Sequence, residues 1–294
     1  MWAAFFCSRS GAGYDLAKSS TMAQPSLNLS VLLRGGGEMA SGIAHRLHQC
    51  HLPVLICEIA APTTVRRTVS FADAAFTGRQ VIEGVEAVKI ASVGEVHGVW
   101  SRGAIPLLVD PDAGLGKTLK LVVLVDAIIA KRDSTTQLTD APLVIGVGPG
   151  FIAGQNVHAV VESNRGYHLG RVIWQGGAEP DTGVPAPVAG HTEARVFRAP
   201  RDGRFTAQRR IGDWVVAGEI IGEVAGVAVY SAIAGLVRGM LHDGVQCQAG
   251  MKLGDVDPRG EREYVDSISD KARAIGGGVL EAILHAYPSL KIPA

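Results

Sequence analysis

The sequence carries no net charge: lysine and arginine total 28, and so do aspartate and glutamate. A balanced chain has no overall field to draw it to nucleic acid or to an anionic membrane. Aromatic residues are scarce at 5%, too few for the stacking platforms that hold single-stranded bases. No apolar run reaches the roughly 20 residues that span a bilayer. The four cysteines, Cys7, Cys50, Cys57 and Cys247, form no Cys-x-x-Cys pair, so neither a zinc site nor a dithiol is suggested. Cys50 and Cys57 lie in apolar stretches and read as buried free thiols, which favours a reducing compartment. Met1 to Cys7 is apolar but too short for a signal h-region and has no basic residue before it. The expectation is a cytoplasmic chain with no nucleic-acid and no membrane partner. Its first 25 residues read as a flexible extension, with Met22 as a candidate start.

Hydrophobic residues are abundant at 47%, and the 37 glycines fall in clusters. Leu29–Leu33 is a short apolar run ending in Arg34, followed by Gly35, Gly36, Gly37 and Glu38. Gly35-x-Gly37-x-x-Ala40 fits the glycine fingerprint of a strand–turn–helix nucleotide site. Ile43, Ala44, Leu47 and Cys50 follow at helical spacing, and Leu52–Ile56 reads as a second strand leading to Glu58. In this reading Gly35 allows the tight turn, Gly37 lets backbone approach a pyrophosphate, and Ala40 permits close helix–strand packing. The free amides at the helix start attract anions, and Glu58 is placed to accept from ribose hydroxyls. Arg34 is either a clamp on a phosphate or carboxylate or a solvated charge; Arg66 and Arg67 carry the same ambiguity.

Leu121–Val125 and Leu143–Val147 are uninterrupted apolar runs, as expected of strands covered on both faces. The first ends in Asp126. The second enters Gly148-Pro149-Gly150-Phe151, with Gly154 beyond, and Val157–Val161 carries His158 and ends at Glu162. Strand ends bearing Asp126, Gly148, Gly150 and Glu162 form a second candidate site. His158 is either a ligand contact or a satisfied structural histidine.

Residues 199–256 repeat with a constant shift of 32. Gly203, Gly212, Gly218 and Gly222 recur as Gly235, Gly244, Gly250 and Gly254. Short strands between glycine turns predict an all-β unit. The pattern resembles the biotinyl/lipoyl-type barrel-sandwich fold, whose members attach a cofactor to a lysine between the halves. Here that junction, Ala225–Val229, holds no lysine, and the one lysine of the repeat is Lys252. An interaction or lid module fits better than a carrier.

Near the C-terminus, Ser269 is a candidate helix cap. Gly276, Gly277 and Gly278 precede an apolar helix, with Asp270, Lys271 and Arg273 supplying charge. These glycines are either a third place for close ligand approach or a joint between two helices.

The ordered string RGGGEMASGIAHRLH, VDAIIAK, VIGVGPGFIAGQNVHAVVE, NRGYHLGRVIW, DTGVPAPVAGHT and ISDKARAIGGGVLEAI covers nearly all of residues 29 to 284. It resembles the selenium-dependent molybdenum hydroxylase accessory proteins, a group overlapping maturation factors of xanthine and carbon monoxide dehydrogenases. One departure is that the family turn usually reads Gly-Ala-Gly-Asp where this chain has Gly35-Gly36-Gly37-Glu38. The resemblance implies a role in maturing or supplying the cofactor of a molybdenum hydroxylase client, with a nucleotide or dinucleotide as ligand, either NAD or a molybdopterin dinucleotide; no catalytic residue carries over. An NAD-dependent oxidoreductase is the alternative, and self-association into a homo-oligomer stays open. The expected architecture is α/β: a flexible extension (1–25), a Rossmann-like α/β domain (26–192), a barrel-sandwich tandem-repeat domain (193–258), and a C-terminal helical segment (259–294) returning to the α/β domain.

Overall fold

The structure is a computed structural model that describes residues 29–119, 121–129, 135–181, 183 and 187–287. The N-terminal extension, Cys7, Lys131 and Arg132 lie outside the described residues. In chain order, the first part contains β1 (Val31–Arg34), α1 (Glu38–Gln49), β2 (Val54–Glu58), α2 (Ala74–Thr77), β3 (Arg79–Ile82), β4 (Val85–Ile90), α3 (Val96–Trp100), β5 (Ile105–Val109) and α4 (Gly114–Lys117). It continues with β6 (Val123–Asp126), β7 (Leu143–Val147), β8 (Ile152–Ala153), β9 (Ala159–Val161), β10 (Val172–Ile173) and β11 (Gly176–Gly177). Nine of these strands form one sheet in the order β10-β9-β7-β6-β1-β2-β5-β4-β3, parallel except for the antiparallel edges β3 and β10. β8 and β11 pair separately.

β1, β6 and β7 are buried along their whole length, which explains their apolar, β-branched sequences. Alternate side chains enter two cores. Leu33, Ile56, Val125 and Ile145 pack under α1 and the C-terminal helix. Leu32, Leu55, Leu124 and Val144 pack with α3, Phe151 and Val157 on the opposite face.

The remaining strands are β12 (Val196–Arg198), β13 (Gly203–Ala207), β14 (Trp214–Val215), β15 (Ile220–Val224), β16 (Val227–Tyr230), β17 (Gly235–Met240), β18 (Gln246–Cys247) and β19 (Lys252–Asp257). They form two four-stranded sheets, β12-β19-β17-β14 and β16-β15-β13-β18, around Phe205, Ile221, Val237 and Leu253. The 32-residue repeat is visible in the backbone, with Gly203 at φ +151° and Gly235 at φ +156°.

The expected architecture, a Rossmann-like sheet with a barrel-sandwich domain, is corrected. The large sheet is mixed, and among the described residues its crossovers hold only helices of four or five residues apart from α1; a hairpin, β3–β4, interrupts the path from β2 to β5. One face is instead covered by a helix from the far end of the chain. The repeat region forms two separate antiparallel sheets, and β12–β15 correspond to β16–β19 at the 32-residue shift, so each sheet mixes strands from both copies. Cys50 is exposed rather than buried, because it follows the last turn of α1; Cys57 and Cys247 are buried, and all three are free thiols.

After α5 (Glu263–Asp266), α6 (Asp270–Ala286) returns to the large sheet. Ser269 caps it, its hydroxyl accepting from the Ala272 amide at 3.3 Å. The three glycines lie inside this one helix, so they form neither a ligand turn nor a joint between two helices. A Cβ on Gly276 would stand 2.9 Å from the Gly42 carbonyl oxygen, and one on Gly42 would stand 2.7 Å from the Ala272 Cβ. The missing side chains let α1 and α6 approach closely.

Gly276→Ala should cost about 1–3 kcal/mol through overpacking. Gly277→Ala, where a Cβ meets nothing within 4 Å, should gain roughly 0.5–1 kcal/mol from helix propensity. Urea unfolding of the two variants should therefore give opposite signs.

Candidate functional site

β1 delivers the glycine turn to the carboxyl edge of the sheet, between β2 and β6. The chain runs from β1 outward through β2 and β5, then returns past β1 to β6 and β7. Crevices at such reversals are where open α/β sheets hold ligands. A cavity of about 340 Å³ opens here, lined by Gly35, Gly37, Glu38, Glu58, Thr64 and Ile128 among others. Its size is at the lower end for small-molecule sites.

Each glycine has a distinct place. The Gly35 amide donates to the Cys57 carbonyl at 2.8 Å. A Cβ on Gly36 would meet the Ala72 amide nitrogen at 2.9 Å, whereas one on Gly37 would meet only Thr64 Oγ1, at 3.9 Å. Gly36 is thus closed in by protein, and Gly37 borders open space. The amides at the start of α1 have no acceptor in a preceding turn, and no side chain caps the helix. Ala40, in the first turn of α1, is fully buried, as close helix–strand packing requires.

Glu58 lines the cavity, but its oxygens already accept two amides: Gly36 N–H at 2.7 Å and Ile59 N–H at 2.7 Å. Burial raises its pKa, and those two bonds oppose the rise. Each oxygen keeps a further lone pair, so Glu58 braces the turn and can still accept from a ligand hydroxyl. Burial likewise pushes the Cys57 thiol up, reinforced by Asp110.

Arg34 is not a ligand clamp. It stands opposite Asp126 on neighbouring strands and bonds to it at 2.9 Å, with the Arg34 side chain 7% and Asp126 1% exposed. Thr135 and Thr136 take further guanidinium protons. This buried pair ties β1 to β6 beneath the glycine turn.

The second candidate cluster is also internally satisfied. His158 Nδ1 accepts from the Val144 amide at 3.0 Å, a structural role. Glu162 accepts the amides of Asn164 and Glu179 at 2.7 and 2.8 Å, fixing the loop after β9. Gly148 and Gly150 both have positive φ, and a Cβ on Gly148 would strike Ser163 Oγ at 2.6 Å; Gly148 is spent on packing.

Of the C-terminal charges, Arg273 bonds both oxygens of Glu83 at 2.6 and 2.8 Å. Lys271 is half-buried, and its pKa is lowered, first by burial and then by Arg165. Glu38 leads away from the glycine turn: its carboxylate lies 3.6 Å from the buried Arg66, which borders a second, larger cleft. Sequence reasoning missed Arg165, Arg195, Arg238 and Arg259 on that cleft, because each lies alone in its own segment. The available signal was Asp255 and Asp257, two apart on a strand and therefore on one face.

No protein-family model matches the chain. Among curated proteins it is similar to the "uncharacterized protein YqeB" of Escherichia coli (strain K12), 45% identical over 260 residues. That match takes in 88% of this chain but only 48% of the relative, so the chain spans about half of that protein's length. Among solved structures it is similar to an aspartoacylase family protein from Mesorhizobium loti (9% identity, TM-score 0.23, 77% of this chain and 84% of that one). It is also similar to the ectoine utilization protein EutE (DoeB) from Ruegeria pomeroyi (13% identity, TM-score 0.24, the same coverages). At such TM-scores the likeness assigns no chemistry. Among the described residues no group of three or more His, Cys, Asp or Glu could hold a metal ion, and no helix is long and apolar enough to cross a membrane.

Asp126→Ala should lower stability by roughly 3–5 kcal/mol, because it leaves the Arg34 guanidinium buried without its counter-charge. An Arg34→Met, Asp126→Leu double variant should recover most of that loss in chemical denaturation.

Proposed function

We propose that the chain is an accessory factor that binds a nucleotide-containing ligand, such as a molybdopterin dinucleotide, in the cavity at the glycine turn, and serves the maturation or cofactor supply of a molybdenum hydroxylase. The observation that carries the ligand reading is the open space beside Gly37, where a Cβ would meet only Thr64 Oγ1, at the uncapped start of a twelve-residue helix. Main-chain amides there can donate to a phosphate, and the helix dipole favours its charge. The remaining lone pairs of Glu58 suit a sugar hydroxyl. The ordered string of motifs from RGGGEMASGIAHRLH to ISDKARAIGGGVLEAI supports the maturation role. The free thiols of Cys50, Cys57 and Cys247 support a cytoplasmic setting.

Gly37 has φ −66°, which a β-branched residue tolerates, so Gly37→Val fills the cavity without straining the turn. At a ligand concentration 100 times Kd, a pterin dinucleotide should raise the melting temperature of the unmodified chain by about 5–10 °C. Gly37→Val should melt at the same temperature as the parent without ligand and lose that rise. An undiminished rise in the variant, or no rise with any nucleotide, overturns the site. Co-purification with a molybdenum hydroxylase tests the partner, and steady NADH oxidation with a carbonyl substrate would count against an accessory role.

A further inference from the structure

The glycine-turn cavity has two chemically different parts. One is polar: Glu58, with lone pairs left after accepting the Gly36 and Ile59 amides at 2.7 Å each, and the open space beside Gly37 at the start of α1. The other is apolar. Ile59, Pro62, Pro111 and Ile128 line it, and Ile59 and Ile128 are 39% and 48% exposed. One exposed isoleucine needs no explanation. Two that come from separate loops and line one cavity form the kind of apolar patch that marks a binding site.

The sheet sets where these two isoleucines stand. Arg34 pairs with Cys57 on β2 and with Asp126 on β6, and β1 lies between those strands. Ile59 and Ile128 each follow two residues past those partners, on opposite flanks of the turn. Two strand spacings are about 10 Å, and a flat ring in van der Waals contact on both faces takes about 7–8 Å. Ile128 is held in place. Its amide donates to Asp126 Oδ1 at 3.3 Å, and its Cγ1 lies 3.4 Å from where a Cβ on Gly35 would stand. The missing side chain at Gly35 therefore seats Ile128 against the turn.

The volume limits how much of a ligand can enter. At about 340 Å³, at the lower end for small-molecule sites, the cavity suits a single nucleoside phosphate, and a dinucleotide is two such units joined. Resting on the nucleotide reading of this cavity, we propose that it takes only the nucleoside-phosphate end of its ligand, with the base between Ile59 and Ile128 and the ribose on Glu58, and leaves the other end outside. A dinucleotide cofactor is then held by its nucleotide as a handle, and its pterin stays open for transfer to the client. Isoleucine side chains offer a base no hydrogen bonds, so the site reads the sugar closely and the base loosely.

Titration calorimetry of the full chain with CDP, GDP, 2′-deoxy-CDP and a pterin cytosine dinucleotide tests this. CDP should bind one per chain, compete with the dinucleotide, and come within tenfold of its affinity; GDP should come within tenfold of CDP. The 2′-deoxy compound should bind about tenfold more weakly than CDP, because a hydrogen bond to a charged group is lost. Removing the ligand's hydroxyl rather than the Glu58 carboxylate leaves the brace of the turn intact. Ile128→Ala should weaken CDP at least fivefold with a melting temperature near the parent's. Trp214→Ala, which removes an exposed apolar side chain from the β-repeat unit, should leave binding unchanged. Iodide should quench the fluorescence of the bound pterin as readily as that of the free one. If the dinucleotide binds at a site that Gly37→Val abolishes, but CDP is more than tenfold weaker, or 2′-deoxy-CDP equals CDP, or Ile128→Ala has no effect, or the bound pterin is shielded from iodide, this inference is overturned and the nucleotide reading stands. If neither CDP nor the dinucleotide binds, both fall.

Discussion

Much of this structure depends on two helices lying closer together than side chains normally allow. Gly42 faces Ala272, and Gly276 faces Gly42 and Arg46, so residue numbers rise in the same direction along both contact faces. α1 and α6 are therefore parallel, and their amino ends stand side by side. Parallel helix dipoles oppose each other at short range, and the arrangement concentrates positive potential at one end of the molecule. The first turns answer it with Glu38 and Asp270. Glu38 borders the glycine-turn cavity and Asp270 the larger cleft.

The buried charges divide into two kinds. Arg34 and Asp126 are equal in number and closely paired on adjacent strands, and they hold β1 against β6. Around Asp255 the cations exceed the acids, and the crowding persists although burial penalises every charge in it. His158 and Glu162 spend their hydrogen bonds on their own loops, whereas Gly37 borders open space.

Local features were readable along the chain. The apolar runs at β1, β6 and β7 marked fully covered strands, the spacing of Ile43, Ala44 and Leu47 marked the buried face of α1, and Ser269 marked the start of α6. The 32-residue repeat was visible as matched glycines. Arg34 was misread because its distance to the turn is set along the chain, whereas its counter-charge lies 92 positions away and arrives only by strand pairing. The triple glycine at 276–278 looked like a loop by composition; its reason is a neighbouring helix more than 200 residues earlier.

The order of residues alone determined that there is a glycine turn between a strand and a helix, that an acid follows at Glu58, and that a repeated β segment lies downstream. Those are short-range facts of periodicity and backbone freedom. Only the tertiary structure decided that the sheet is mixed, that a C-terminal helix replaces crossover helices on one face, and that six arginines from six segments border one cleft. Their charges are separated by as much as 207 residues of chain, from Arg66 to Arg273, and electrostatic interaction depends on distance through space, which pattern along a sequence does not encode.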